Sequence, residues 1–259
     1  MPAHWKSLMN SRPEPVTADL RRRYLDLLAG CLSRGLFLDL DEPWVDPADR
    51  NEGRDWPKGA ETMIGRRRLD NLIDCLTVVL DDDIPGDLVE TGVWRGGATI
   101  LMRAALAAWE DPDRSVWVAD SFNGLPPPDA TAFPADEGVD LSGISALSVS
   151  RAEVAANFER YDLLDDRVRF LEGWFSDTLG IAPISELALL RLDGDLYQST
   201  WEALDALYPK LSPGGILIVD DYGAFEPCRK AVHDYRDLHS IHEEIVSIDW
   251  TGVWWRRDR

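Results

Sequence analysis

From residue 87 onward, short apolar runs alternate with longer stretches in which apolar residues recur every three or four positions. The runs are the signature of buried strands, and the longer periodicity is that of amphipathic helices. The spacing predicts strands over 87–91, 115–119, 167–171, 187–192 and 216–219, with helices over 98–109, 150–161, 199–207 and 227–238. Ser150 followed by Glu153 is a capping-box pair that marks the start of the second helix. Strictly alternating strands and helices imply crossover connections and a parallel sheet covered on both faces. The tail breaks this rhythm. Residues 244–250 and 253–257 are both strand-like and are separated only by Thr251-Gly252, which predicts an antiparallel pair. The expected fold is α/β, a doubly wound, mostly parallel seven-stranded sheet closed by a C-terminal antiparallel hairpin.

Ahead of the sheet the pattern is helical. Residues 17–32 place Leu20, Tyr24, Leu27, Leu28 and Cys31 at helical spacing. A second helix runs from Met63 through Leu69, Leu72, Ile73, Leu76, Val79 and Leu80. Between them, residues 39–56 contain Pro43 and Pro47, with Pro57 following, and read as an irregular loop. The first ten to twenty residues, interrupted by Pro13 and Pro15, read as frayed. The chain thus divides into an N-terminal helical lid segment, 1–83, and a ligand-binding domain, 84–259. Between Phe122 and Ser150 lies a long stretch rich in Pro, Asp, Gly and Ser. Irregular insertions of that length in a compact domain are usually binding loops or lids.

Composition narrows the possible partners. The chain has 259 residues, 45% of them hydrophobic, enough for one large α/β core. Its 47 Asp and Glu outnumber 27 Lys and Arg, a formal charge of −20 that repels phosphate backbones and anionic lipid. Neither nucleic acid nor a membrane is therefore an expected partner. The basic cluster Arg66-Arg67-Arg68 sits inside a helical pattern rather than a tail. Cys31, Cys75 and Cys228 are odd in number and far apart, which suits reduced thiols and neither a disulfide framework nor zinc. No window approaches the roughly 18 apolar residues of a membrane span. The start of the chain also lacks a secretory apolar stretch, so a cytoplasmic location is expected.

The candidate chemistry gathers at strand ends. Glu90-Thr91-Gly92-Val93-Trp94-Arg95-Gly96-Gly97 follows the first strand and opens a helix, where open α/β sheets bind ligands. Its spacing is ExGxxxG rather than the GxGxxG of dinucleotide sites, which seat a pyrophosphate on the helix N-terminus. S-adenosylmethionine carries a sulfonium and an ammonium instead, and these suit the carboxylate of Glu90. Asp120, at the end of the second strand, is placed to accept ribose hydroxyls. After the third strand, Trp174, Phe175 and Asp177 offer stacking and polar contacts to an adenine, or alternatively core packing. The fourth and fifth strands end in Asp193-Gly194-Asp195 and Asp220-Asp221-Tyr222. Carboxylates crowded at one sheet edge repel each other unless a cation is present, and hard oxygen ligands suit Mg²⁺. Taken singly, each aspartate could instead cap the following helix. His233, His239 and His242 read as solvated or structural, and no GxSxG, Walker or Cys/His motif occurs.

Together, Thr62-Met63-Ile64-Gly65 with Arg68-Leu69, the 90–97 block, Trp117-Val118-Ala119-Asp120-Ser121-Phe122, Leu192-Asp193-Gly194-Asp195 and Asp220-Asp221-Tyr222 resemble the macrocin O-methyltransferase family. The likeness runs from about residue 50 to the C-terminus. It implies a class I, Rossmann-like, S-adenosylmethionine-dependent methyltransferase acting on a deoxysugar hydroxyl of a glycosylated natural product in antibiotic biosynthesis. It further implies Asp193, Asp220 and Asp221 as Mg²⁺ ligands, with Asp193 also the base. Thr62, Met63 and Ile64 would reach over the cofactor, while Glu90, Asp120 and Ser121 would hold its methionine and ribose. Gly92, Trp94 and Arg95 of the 90–97 block, with Trp174 and Asp177 read after the third strand, complete the expected cofactor set. Residues 130–149 would contact the acceptor, and the N-terminal region would support a homo-oligomer. Three rivals remain: a catechol-type methyltransferase, an NAD-dependent oxidoreductase and a catalytically silent nucleoside-binding scaffold. Phe133 is the only aromatic residue of 130–149, which argues against stacking a flat phenol.

Overall fold

Seven strands form one sheet in the order β3-β2-β1-β4-β5-β7-β6 in the computed structural model, which describes residues 17–258. The strands are β1 Asp87–Thr91, β2 Val116–Asp120, β3 Val168–Glu172, β4 Leu187–Leu192, β5 Leu211–Val219, β6 Val246–Ser247 and β7 Val253–Arg256. The first five are parallel, and β7 runs antiparallel to both β5 and β6. This is the expected α/β sheet with its C-terminal antiparallel pair. The connection between β6 and β7 is longer than a two-residue turn, because Asp249 accepts the Thr251 and Gly252 amides and Ile248 bonds to Gly252. The assigned frayed start falls mostly on residues 1–16, outside the described residues.

Helices cover both faces, as a parallel sheet requires. They are α1 Ala18–Leu32, α2 Leu38–Asp41, α3 Pro47–Glu52, α4 Arg66–Asp81, α5 Gly97–Ala108, α6 Arg151–Arg160, α7 Phe175–Thr178, α8 Tyr197–Leu207 and α9 Glu226–His239. One core packs α1, α4, α5 and α6 on the sheet through Leu25, Leu69, Ile100 and Phe158. The other packs α8 and α9 through Leu204, Val232 and Tyr235 around the fully buried Trp255. β1 lies between β2 and β4, so its C-terminal end is the point where the winding reverses and a crevice opens.

Several boundaries differ from the sequence reading, each for a physical reason. Residues 39–56 are not simply irregular. Asp46 caps α3 by accepting the Ala48 amide at 2.8 Å, and Pro47 occupies the first turn, where its missing N–H costs nothing. Helix α1 buries Leu25, Leu28, Ala29 and Leu32, while Leu20, Tyr24 and Leu27 are exposed, because α4 and α5 pack against the other stripe. Strand β5 begins at Leu211, so Gly214-Gly215 marks a bulge in the strand rather than its start. Helix α8 starts at Tyr197 rather than Ser199. Its cap is remote: the fully buried Asp136 of the insertion accepts the Tyr197 and Gln198 amides at 2.7 and 3.0 Å. Ser150 caps α6 as its pattern predicts, accepting the Glu153 amide at 3.2 Å.

Candidate active site

A cavity of about 420 Å³ opens at the C-terminal ends of β1, β2, β3 and β4. The turn after β1 forms its floor. Gly92 has φ +80°, and a Cβ there would lie 1.7 Å from the Asp193 carbonyl oxygen, so only glycine lets β4 pass this close. Asp120 closes the next side. Its Oδ2 accepts the Val93 amide at 2.8 Å and its Oδ1 the Phe122 amide at 2.7 Å, joining the tip of β2 to the β1 turn. Burial raises the Asp120 pKa, and these backbone donors oppose the shift. Ser121 donates to the Gly124 carbonyl at 2.6 Å and so shapes the start of the insertion.

Of the expected cofactor residues, Met63, Gly92, Trp94, Asp120, Ser121 and Trp174 line this cavity. Thr62, Ile64, Glu90, Arg95 and Asp177 do not. Thr62 and Ile64 are buried beside it, with the Ile64 amide donating to Thr62 Oγ1 at 3.3 Å. Arg95 points away and donates to the carbonyls of Lys58 and Ala60. Asp177 lies in the first turn of α7, with the Ser176 hydroxyl 3.4 Å away. From the insertion, residues 124–127, Asp129 and Leu147 reach the wall, so only its ends contribute. Phe133 meets the Tyr197 ring at a centroid distance of 6.2 Å, in a group that anchors the insertion. His233 pairs with Tyr222 at 2.7 Å, and the His239 ring packs on Tyr235, which is the structural role expected of them.

The acidic residues converge as expected. Asp193, Asp220 and Asp221 each offer an oxygen, all within 4.8 Å of one another. What the motifs did not reveal is that cations of the chain already stand among them. Arg191, 2% exposed, bonds Glu90 Oε1 with Nη1, which also reaches Asp193 Oδ2 at 2.7 Å, while its Nη2 meets Asp220 Oδ1 at 2.5 Å. Arg68 bonds the other Asp220 oxygen and Asp249, the latter at 3.0 Å. Glu90 is therefore a buried partner of Arg191, and burial, against the pull of that arginine, pushes its carboxyl up to about 8. Burial and Asp220 raise Asp193, with Arg191 and Arg68 opposing. Asp195, which lines the cavity, is pushed up to about 8 by burial and by Asp193. Asp221 is raised well above the usual range by burial and Asp195, whose amide donates to Asp221 Oδ2 at 3.1 Å.

This donor set fits a hard divalent cation. All three groups are oxygen donors, one oxygen of each lies within 4.8 Å of the others, and Asp193 Oδ1 has no hydrogen-bond partner among the described residues. Asp220 is the most committed of the three, with an arginine on each oxygen. The sequence reading missed Arg191, Arg68 and the cavity-lining Gln198, Ser199 and Glu202. A signal for Arg191 was present: it is the one charge in Leu187–Leu192, a strand buried along its whole length, and a buried guanidinium needs carboxylate partners.

The sequence matches the family model described as macrocin-O-methyltransferase (TylF) over residues 22–257. The chain belongs to this family. It is 53% identical over 252 residues to 8-demethyl-8-(2,3-dimethoxy-alpha-L-rhamnosyl)-tetracenomycin-C 4'-O-methyltransferase of Streptomyces olivaceus, covering 93% of this chain and 95% of that one. It is 56% identical over 211 residues to demethyldecarbamoylnovobiocin O-methyltransferase of Streptomyces niveus, covering 81% and 80%. It is 49% identical over 245 residues to mycinamicin III 3''-O-methyltransferase of Micromonospora griseorubida, covering 90% and 96%. Among solved structures, the O-methyltransferase NovP superposes with a TM-score of 0.89 at 51% identity, covering 92% of this chain and all of that one. The macrocin-type family places this chain among S-adenosylmethionine-dependent O-methyltransferases, and the sheet order agrees with that fold. No helix among the described residues is long and apolar enough to cross a membrane.

Proposed function

We propose that this enzyme methylates a hydroxyl of a deoxysugar on a glycosylated natural product, with Mg²⁺ held by Asp193, Asp220 and Asp221. The sugar reading rests on the relatives, whose printed activities are O-methylations of a rhamnosyl tetracenomycin, of demethyldecarbamoylnovobiocin and of mycinamicin III. The observation that carries the chemistry is the position of Asp193. It stands in the cavity wall and in the carboxylate cluster at once, with Oδ2 on Arg191 and Oδ1 without a hydrogen-bond partner among the described residues.

In the reaction, an acceptor oxygen forms a bond to the methyl carbon as the carbon–sulfur bond breaks, and the hydroxyl proton must leave. Asp193 Oδ1 takes that proton. Arg191 holds Oδ2, which fixes the plane of the carboxylate and opposes the effect of burial on its basicity. Bound beside it, Mg²⁺ would supply Lewis-acid stabilisation of negative charge on oxygen. Met63, Gly92, Trp94, Asp120, Ser121 and Trp174 bind the methyl donor, with Asp120 the acceptor for ribose hydroxyls. They hold the donor in line with the acceptor, the positioning that such transfers depend on most. The family resemblance also supports self-association through the N-terminal region, where α1 exposes Leu20, Tyr24 and Leu27.

The test is a methyl-transfer assay across a panel of glycosylated natural products and their aglycones, with added Mg²⁺ or with chelator. Turnover only on glycosylated acceptors, abolished by chelator, is the expected result. Methylation of a free catechol in preference to every glycoside would overturn the sugar reading. Full activity in chelator would remove the metal from the proposal.

A further inference from the structure

Arg95 belongs to the same turn as the cavity residues Gly92 and Trp94, yet its guanidinium leaves the cavity. Nη1 donates to the carbonyl of Lys58 at 2.9 Å and to that of Ala60 at 3.0 Å. These are its hydrogen-bond acceptors among the described residues, and a looser ion pair to Glu153 spans 3.7 Å. The strap formed by residues 58–64 is fastened again one residue on, where the Gly97 amide donates to the Glu61 carbonyl at 2.9 Å. The Glu61 carboxylate, buried, accepts from Arg160 at 2.8 Å and from the Tyr161 hydroxyl at 3.1 Å. A Cβ on Gly97 would lie 2.6 Å from both the Glu61 oxygen and the Thr62 Cβ, so the strap presses directly on the start of α5. Three residues beyond Ala60, Met63 reaches the cavity wall.

From this geometry we infer that Arg95 is a positioning residue that clamps the 58–64 strap and thereby sets Met63 over the bound methyl donor. The floor of the site, the 92–97 turn, and its roof, the strap, are tied by the Arg95 guanidinium and, beside it, by the Gly97 amide. The strap is therefore a fixed wall rather than a flap that opens with the N-terminal helices. The inference rests on the donor occupying this cavity.

The experiment measures S-adenosylhomocysteine affinity by calorimetry and backbone hydrogen exchange of residues 58–64, in the full chain. In Arg95→Ala, the strap should exchange faster and affinity should fall roughly tenfold, the scale of losing charge-assisted hydrogen bonds. Arg95→Lys should recover part of both, since an ammonium can still reach a carbonyl. Gly97→Ala, which pushes the strap from the other side, should reproduce the loss, whereas Glu153→Gln should leave affinity unchanged. A double-mutant cycle identifies the route: in a Met63→Ala background, Arg95→Ala should add little further loss. A loosened strap with unchanged affinity would overturn the inference, and so would an undiminished loss in the Met63→Ala background, which would place the effect in Trp94. Wild-type protein that failed to bind S-adenosylhomocysteine would overturn the cavity assignment itself, and the inference with it.

Discussion

At the scale of single residues, Arg191 and Asp193 divide the work at the end of β4, one buried under the carboxylates and the other facing the cavity. Asp193→Asn keeps the shape but cannot take a proton, and loss of a general base typically costs about 10²–10⁴-fold in rate. Turnover should fall by that much, while S-adenosylhomocysteine affinity stays near wild type, because Asp120 and Gly92 lie on other strands. A rate assay paired with calorimetry checks both halves, and full rescue by excess Mg²⁺ would make Asp193 a ligand without a base role. Arg191→Met should be more damaging to the fold than to any one function. It strands Glu90, Asp193 and Asp220 without their shared cation, and breaking a buried ion pair from one side costs roughly 3–5 kcal/mol. Denaturant unfolding measures this, and Glu90→Gln added to Arg191→Met should recover part of it. A stable single variant would show that Arg68 alone balances the cluster. The aspartates were legible in the sequence as strand-end motifs. Arg191 was hinted at as the one charge in a buried strand, but its pairing with Arg68 was not, because the two are 123 positions apart and meet through Asp220.

At the scale of elements, the clearest case is the insertion after β2. Its middle does not face the cavity, yet Asp136 caps α8 from 61 positions away and Phe133 packs on Tyr197. Asp136→Ala should cost about 0.5–2 kcal/mol, as lost helix caps do. It should also raise hydrogen exchange at residues 197 and 198. If the melting temperature drops but those amides stay protected, Asp136 stabilises the loop alone. Strand positions were readable because unbroken apolar runs bury both faces, and β1 and β4 coincide with their expected limits. The start of α8 and the buried face of α1 were not readable. The first depends on a cap supplied by a distant segment, and the second on which of two apolar stripes α4 and α5 cover.

At the scale of the whole molecule, the acidic cluster links ligand binding to protons. Burial raises Glu90 from 4.5 and Asp195 from 3.8 to about 8. Carboxyls raised in this way bind their protons more tightly folded than unfolded. The metal-free protein should therefore lose stability as pH rises from the unfolded values through about 8. A cation at the three aspartates acts in the opposite sense, so Mg²⁺ loading near pH 7 should release protons. Calorimetry in two buffers of different ionisation enthalpy reads that release, and identical heats in both would mean the cluster is already ionised. S-adenosylhomocysteine should raise the melting temperature and NAD should not, since the 90–97 turn lacks the dinucleotide spacing. At 100 times its dissociation constant a ligand adds roughly 2.7 kcal/mol, an easily seen shift.

Sequence alone determined the features set by local chemistry. Apolar period distinguished strands from helices, the ExGxxxG spacing separated the cofactor classes, and aspartates at two strand ends marked the reacting edge. It also determined the family, because five motif blocks fall in one order. Tertiary structure decided everything that depends on partners remote in the chain. Glu90 became the anchor of Arg191 because β1 and β4 are neighbours, with Glu90 and Arg191 opposite each other in register. Arg95 turned from the cavity to the strap because the Lys58 and Ala60 carbonyls, brought beside it by the fold, lie within hydrogen-bond reach of its guanidinium. Local patterns specify what a side chain can do; the packing of distant elements specifies which neighbour it does it with.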